Sequence, residues 1–135
     1  MPLITVCGNP ATGKTTFAQK LAVYLRKRGI ENVEVINEES LGLSKRECYA
    51  SSFAEKKIRG SLKGAVDHRL SADRWIIVDS LNYIKGFRYE LFCTARSSRT
   101  PHCVVWVECP TDVSNTWNES LGTADAPRES YDPQM

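Results

Sequence analysis

Short apolar runs alternate along the chain with longer stretches in which apolar residues return every three or four positions. Leu3 to Cys7 (LITVC) is a β-branched run that stops at Gly8 and reads as a buried strand. From Lys14 the period changes. Phe17, Leu21 and Leu25, with Ala18 and Ala22, repeat at helical spacing; Arg26, Lys27 and Arg28 fall in the last turn, and Gly29 closes it. Val33 to Ile36 predicts a second strand, and the polar text from Ser40 to Tyr49 a loop. Ala50 to Leu70 predicts a long helix with Ala50, Ala54, Ile58, Leu62, Ala65 and Leu70 on its apolar face. Lys56, Arg59 and Lys63 share another, solvated face. Trp75 to Val78 predicts a third strand ending in Asp79. Gly86 to Ser98 predicts a helix whose Phe87, Leu91 and Ala95 form one stripe and Arg88, Phe92, Arg96 and Arg99 the next. Val104 to Val107 predicts a fourth strand.

The predicted order is β-α-β-α-β-α-β, which implies an α/β fold: a parallel sheet with helices on both faces. The strands are continuous apolar runs, as burial on both sides requires. Ligands on such sheets sit at the carboxyl ends of the strands. Here those ends are Gly8, Asn37-Glu38, Asp79-Ser80 and Glu108-Cys109. Beyond Pro110 the text is rich in Ser, Thr, Asn, Asp and Pro, with no clear strand, and no internal repeat is present.

Composition narrows the function classes. The chain has 135 residues, 41% of them hydrophobic and 25% charged, as expected of one globular domain. No run of about 18 or more apolar residues exists, so neither a transmembrane helix nor membrane association is expected. The opening Met1-Pro2-Leu3 leads straight into a strand, so no signal peptide is expected. The five cysteines (Cys7, Cys48, Cys93, Cys103 and Cys109) show no CxxC spacing and His68 and His102 stand apart, so reduced cytosolic thiols are expected and no zinc site. Net charge is +2, unevenly spread: residues 1–107 hold 17 bases against 10 acids, a net of +7. A basic body with an acidic tail fits either a nucleic-acid binder or two solvated surfaces.

Gly8-Asn9-Pro10-Ala11-Thr12-Gly13-Lys14-Thr15 matches GxxxxGK[ST] between a strand and a helix, the setting of a P-loop. The glycines let the backbone close on phosphate oxygens, and successive N–H groups at the helix start face the anion. Lys14 brings a full positive charge to the β- and γ-phosphates; Thr15 has a hydroxyl for Mg²⁺, and Thr16 beside it completes the expected nucleotide-binding set. Trp75 to Asp79 reads as a Walker B strand whose terminal acid holds Mg²⁺, usually through water. Glu38 and Glu39 follow the second strand, where an acid can face the γ-phosphate and its acceptor. Glu38 is a candidate general base or an outer partner of Mg²⁺, although two adjacent acids leave the assignment loose. Arg88, Arg96 and Arg99 can reach transferring phosphate or an RNA backbone, or simply face solvent.

The stretch DSLNYIKGFRYEL, Asp79 to Leu91, is long and specific. With MPLITVCGNPATGKTT at the N-terminus and NEESLG from Asn37 to Gly42, it resembles the Elongator-associated killer-toxin-insensitivity ATPases, relatives of O-phosphoseryl-tRNA kinase. The resemblance covers nearly the whole chain and is weaker after Pro110. It implies a P-loop NTPase of the nucleotide-kinase type: a tRNA-dependent ATPase that works with the Elongator complex on wobble-uridine modification of tRNA. It implies ATP and Mg²⁺ on Lys14, Thr15 and Asp79, with Glu38 supporting hydrolysis. Family members often carry Asp where this chain has Glu38.

In domain terms, the resemblance implies a P-loop core over 1–109 and a lid-like segment over 110–135, with Arg128 as a lid arginine. The family's C-terminal tRNA-binding domain and a fifth core strand have no counterpart in the 135 residues, so a nucleotide-domain piece is expected. A monomer in the cytoplasm, and also in the nucleus, is expected. A second reading is a kinase that phosphorylates a small or tRNA-linked hydroxyl, because phosphoryl transfer asks mostly for positioning and charge. A third is a nucleotide-gated binding module with negligible turnover.

Overall fold

The computed structural model describes residues 2–8, 12–42, 51–70 and 74–110. Strand β1 is Leu3–Cys7, with every side chain buried. Helix α1, Lys14–Lys27, follows the P-loop, and Gly29 just beyond it takes φ +89°, the left-handed turn that glycine closes most readily. Strand β2 is Val33–Ile36, and a short 3-10 turn, Glu39–Leu41, leaves it. Helix α2 is Ser52–Arg69, strand β3 is Trp75–Asp79, helix α3 is Lys85–Ser97 and strand β4 is His102–Trp106.

The alternation is the predicted one, and every strand pair is parallel, in the order β2-β3-β1-β4. β1 is flanked by β3 and β4, so the P-loop leaves the middle of the carboxyl edge. Two apolar layers cover the sheet. Ile4, Val6, Val33 and Ile77 meet Ala18, Ala22 and Leu25 of α1 on one face. Leu3, Ile36, Ile76 and Val78 meet Ile58, Leu62 and Val66 of α2, and Phe87, Leu91 and Ala95 of α3, on the other. Successive strand residues point to opposite faces, and both faces are largely apolar, so β1 and β3 read as apolar runs broken only by Thr5 and, at the strand end, Asp79.

Strand β4 departs from expectation twice. It starts at His102 rather than Val104, because it runs in register with the whole of β1, from Leu3↔His102 to Cys7↔Trp106. His102 is tolerated there because its Nε2 lies 2.8 Å from the Thr5 hydroxyl. Nor is β4 buried on both sides: Val104 and Trp106 are each 47% exposed, and among the described residues β1 is its only strand neighbour. Helix α2 starts at Ser52 because the Ser51 hydroxyl accepts the Ala54 N–H at 3.1 Å and caps the first turn. Ala50, most of the predicted 40–49 loop, and the lid-like segment from residue 111 lie outside the described residues.

Candidate nucleotide site

The carboxyl edge of the sheet gathers the predicted chemistry. Gly8 leaves β1 with its N–H on the Leu81 carbonyl at 3.2 Å, while the Val107 N–H donates to the Cys7 carbonyl at 2.9 Å. A Cβ on Gly8 would run into the Val107 carbonyl, so only glycine lets the strand end pass between its neighbours. Gly13 has φ +91° and opens α1, where Phe17 N–H donates to its carbonyl at 2.9 Å. The first turn of α1 has neither an acidic residue nor a side-chain cap, and the positive end of its dipole favours an anion there. Thr12 and Lys14 are buried at this turn, Thr15 is half-buried and Thr16 is exposed. Asn9, Pro10 and Ala11 of the predicted loop lie outside the described residues.

The neighbouring strand ends supply the acids. Glu38 is buried to 1% exposure and Glu39 is exposed, so burial separates the expected candidate from its neighbour. The Ser80 hydroxyl donates to Glu38 Oε1 at 2.6 Å. Asp79, also buried, accepts from Asn37 Nδ2 at 3.4 Å. Asn37 is itself locked by Ser40: the Ser40 N–H donates to Asn37 Oδ1 at 2.8 Å, and the Asn37 N–H to Ser40 Oγ at 2.9 Å.

Asn82 ties these ends together. It sits at φ +48°, a left-handed conformation that Asn adopts more readily than most residues. Its Nδ2 donates to the Val6 carbonyl at 2.7 Å and reaches the Val78 and Ser80 carbonyls at 3.3 Å each. Arg88 then donates through Nη1 to the Asn82 carbonyl at 2.8 Å. Burial pushes the Cys7 thiol up from the ordinary cysteine value, and the charges of Arg88 and Lys14 pull against that rise. Arg88 is linked through Asn82 to Val6, just before the root of the P-loop. Arg96 is exposed on the last turn of α3, and Arg128 lies outside the described residues. The sequence places Asn37 and Ser80 at strand ends but assigns them no role, and it does not single out Asn82; the one local signal for Asn82 is that Asn tolerates a left-handed backbone.

The donor set fits a phosphate-bound Mg²⁺ rather than a self-sufficient metal site. Among the described residues no group of three or more His, Cys, Asp or Glu side chains could hold a metal ion. Thr15 and Asp79 alone would leave most positions to phosphate oxygens and water, which is how Mg²⁺ usually binds at nucleotide sites.

A family model described as chromatin associated protein KTI12 matches residues 1–134. The chain belongs to the KTI12 family. It is 44% identical over 119 residues to the KTI12 homolog of Danio rerio, which takes in 88% of this chain and 43% of that relative. The KTI12-family chain therefore spans less than half the length of that relative. Crystalline Chaetomium thermophilum Kti12 in complex with ADP-AlF3 superposes with a TM-score of 0.85 at 36% identity, covering 98% of this chain and 75% of that one. The adenylylsulfate (APS) kinase CysC of Mycobacterium tuberculosis, with AMPPNP and APS, superposes at 0.70 with 12% identity over 99% of this chain and 84% of that one, a likeness of fold. The fold is thus the P-loop fold of the nucleotide-kinase type. No helix among the described residues is long and apolar enough to cross a membrane.

Proposed function

We propose that this KTI12-family chain is the nucleotide-binding part of a tRNA-dependent ATPase that serves Elongator in tRNA wobble-uridine modification. The observation that carries the nucleotide half is the convergence on one sheet edge of a glycine-opened helix start, buried Lys14 and two buried acids, Glu38 and Asp79. The complex of Chaetomium thermophilum Kti12 with ADP-AlF3 supports ATP as the ligand. Family membership and the Asp79–Leu91 motif support tRNA and Elongator as partners; a monomer working in the cytoplasm, and also in the nucleus, is part of the same proposal.

In this reading the P-loop N–H groups and Lys14 take the phosphate charge, which grows on the outer oxygens as the γ-phosphoryl leaves. A water oxygen bonds to the γ-phosphorus while the bond to the β–γ bridging oxygen breaks, and Glu38 orients that water and accepts its proton. Thr15 and Asp79 would hold Mg²⁺, which when bound neutralises phosphate charge. Arg88, beside the P-loop root, is the candidate link to phosphate or RNA, with Arg96 and Arg128 as outer contacts. ATP turnover of the protein with and without tRNA is the decisive measurement. Phosphate release accelerated by tRNA is expected. A phosphorylated acceptor on aminoacyl-tRNA would make it a kinase, and no phosphate release in either condition would reduce it to a binding module.

A further inference from the structure

We propose that Ser80 is a positioning residue that holds the Glu38 carboxylate in its working orientation; the proposal rests on the hydrolytic role given to Glu38 above. The register that pairs Ile36 with Val78 brings Asn37 opposite Asp79 and Glu38 opposite Ser80 when carried past the strand ends. Side chains bridge both pairs, Asn37 to Asp79 and Ser80 to Glu38. The second contact is the shorter, 2.6 Å, between groups only 2% and 1% exposed. A hydroxyl at that range to a buried carboxylate forms a charge-assisted bond, stronger than a neutral one.

Ser80 is itself fixed to the strand that carries the P-loop. Asn82 Nδ2 spans the Ser80 carbonyl and the Val6 carbonyl of β1, and Arg88 holds the Asn82 carbonyl. The path Glu38–Ser80–Asn82–Val6 thereby sets where the carboxylate stands relative to the residues just before Gly8. A glutamate has three side-chain rotors, and a misplacement of about 1 Å can cost about 10²-fold in rate. Ser80 restricts those rotors through the 2.6 Å bond to Oε1.

The test is steady-state phosphate release with tRNA present, alongside ATP-analogue binding and melting curves. Ser80→Ala is expected to lower kcat about tenfold or more while leaving KM for ATP within about twofold. Ser80→Thr, which keeps the hydroxyl, is expected to retain more of kcat than Ser80→Ala. Placed in a Glu38→Gln background, Ser80→Ala is expected to add little further loss. If Ser80→Ala does not fold, Ser80→Cys, of similar volume and a weak donor, takes its place with the same expectation. A normal kcat in Ser80→Ala beside a crippled Glu38→Gln overturns this inference alone. So does an equal loss from Ser80→Ala in both backgrounds, or a threonine no better than alanine. Glu38→Gln at wild-type rate, or wild-type protein that releases no phosphate, overturns the functional reading and the inference with it.

Discussion

Gly13 stands at φ +91°, and a Cβ there strains the backbone wherever the side chain points. Gly13→Ala is expected to lose about 1–2 kcal/mol of stability and to weaken nucleotide binding, because the same turn aims the α1 N–H groups. Gly8→Ala is expected to cost more: its Cβ meets the Val107 carbonyl, a backbone atom that can yield only if β4 moves away from β1. Urea midpoints of the two variants check the ranking, and a Gly8→Ala midpoint at the wild-type value would refute the wedge. Lys14 acts differently. It is 4% exposed, and it stands at a helix start with no acid in its first turn, where an anion is favoured. Lys14→Ala is expected to cut phosphate release at least about 10²-fold while a cooperative melt persists. Wild-type turnover by that variant would remove the P-loop from the chemistry.

Helix α3 separates residues that looked alike on a helical wheel. Arg88 is anchored to the Asn82 carbonyl and helps hold the ends of β1 and β3, whereas Arg96 projects from the last turn into solvent. Arg88→Glu is therefore expected to lower the melting temperature and to weaken tRNA stimulation; Arg96→Glu is expected to weaken stimulation alone. Unchanged stimulation in both would take them off the RNA path, and an unchanged melt in Arg88→Glu would refute the anchor. Spacing alone could not have drawn this distinction, since it reports which helix face a residue shares and not what faces it. The P-loop and the strand ending in Asp79 were legible because their signals are local: glycines at fixed offsets, an apolar run, an acid at its end. Glu38 was named over Glu39 but only loosely, because it takes the 3-10 turn that leaves β2 to bury the first and expose the second. The contacts of Asn37, Ser80 and Asn82 were silent because they join segments far apart in sequence, 42 residues for Asn37 and Ser80 and up to 76 for Asn82. The start of β4 was misplaced because pairing with β1 outweighed the weak strand preference of His102.

Across the whole molecule, the sheet is sealed on one face by α1 and on the other by α2 and α3, and the site depends on both layers staying closed. Among the described residues β4 is one of the two edge strands, and its first residue ties global stability to pH. His102 sits beside Thr5 at the β1–β4 seam, and burial lowers its pKa from the ordinary histidine value of about 6.5. The folded state therefore takes up a proton less readily than the unfolded chain. Between the two pKa values the unfolded state binds more protons, so stability rises with pH there. The contribution of His102 is complete above about 6.5 and is lost as pH falls from that value through the lower folded one. Chemical denaturation from pH 7.5 to 5.5 should show this decline. His102→Gln, which keeps a polar end near the Thr5 hydroxyl but cannot titrate, should flatten it. An equal slope in the variant, or a folded His102 that titrates at or above 6.5 by NMR, would place the pH sensitivity elsewhere and leave the β1–β4 seam indifferent to protonation.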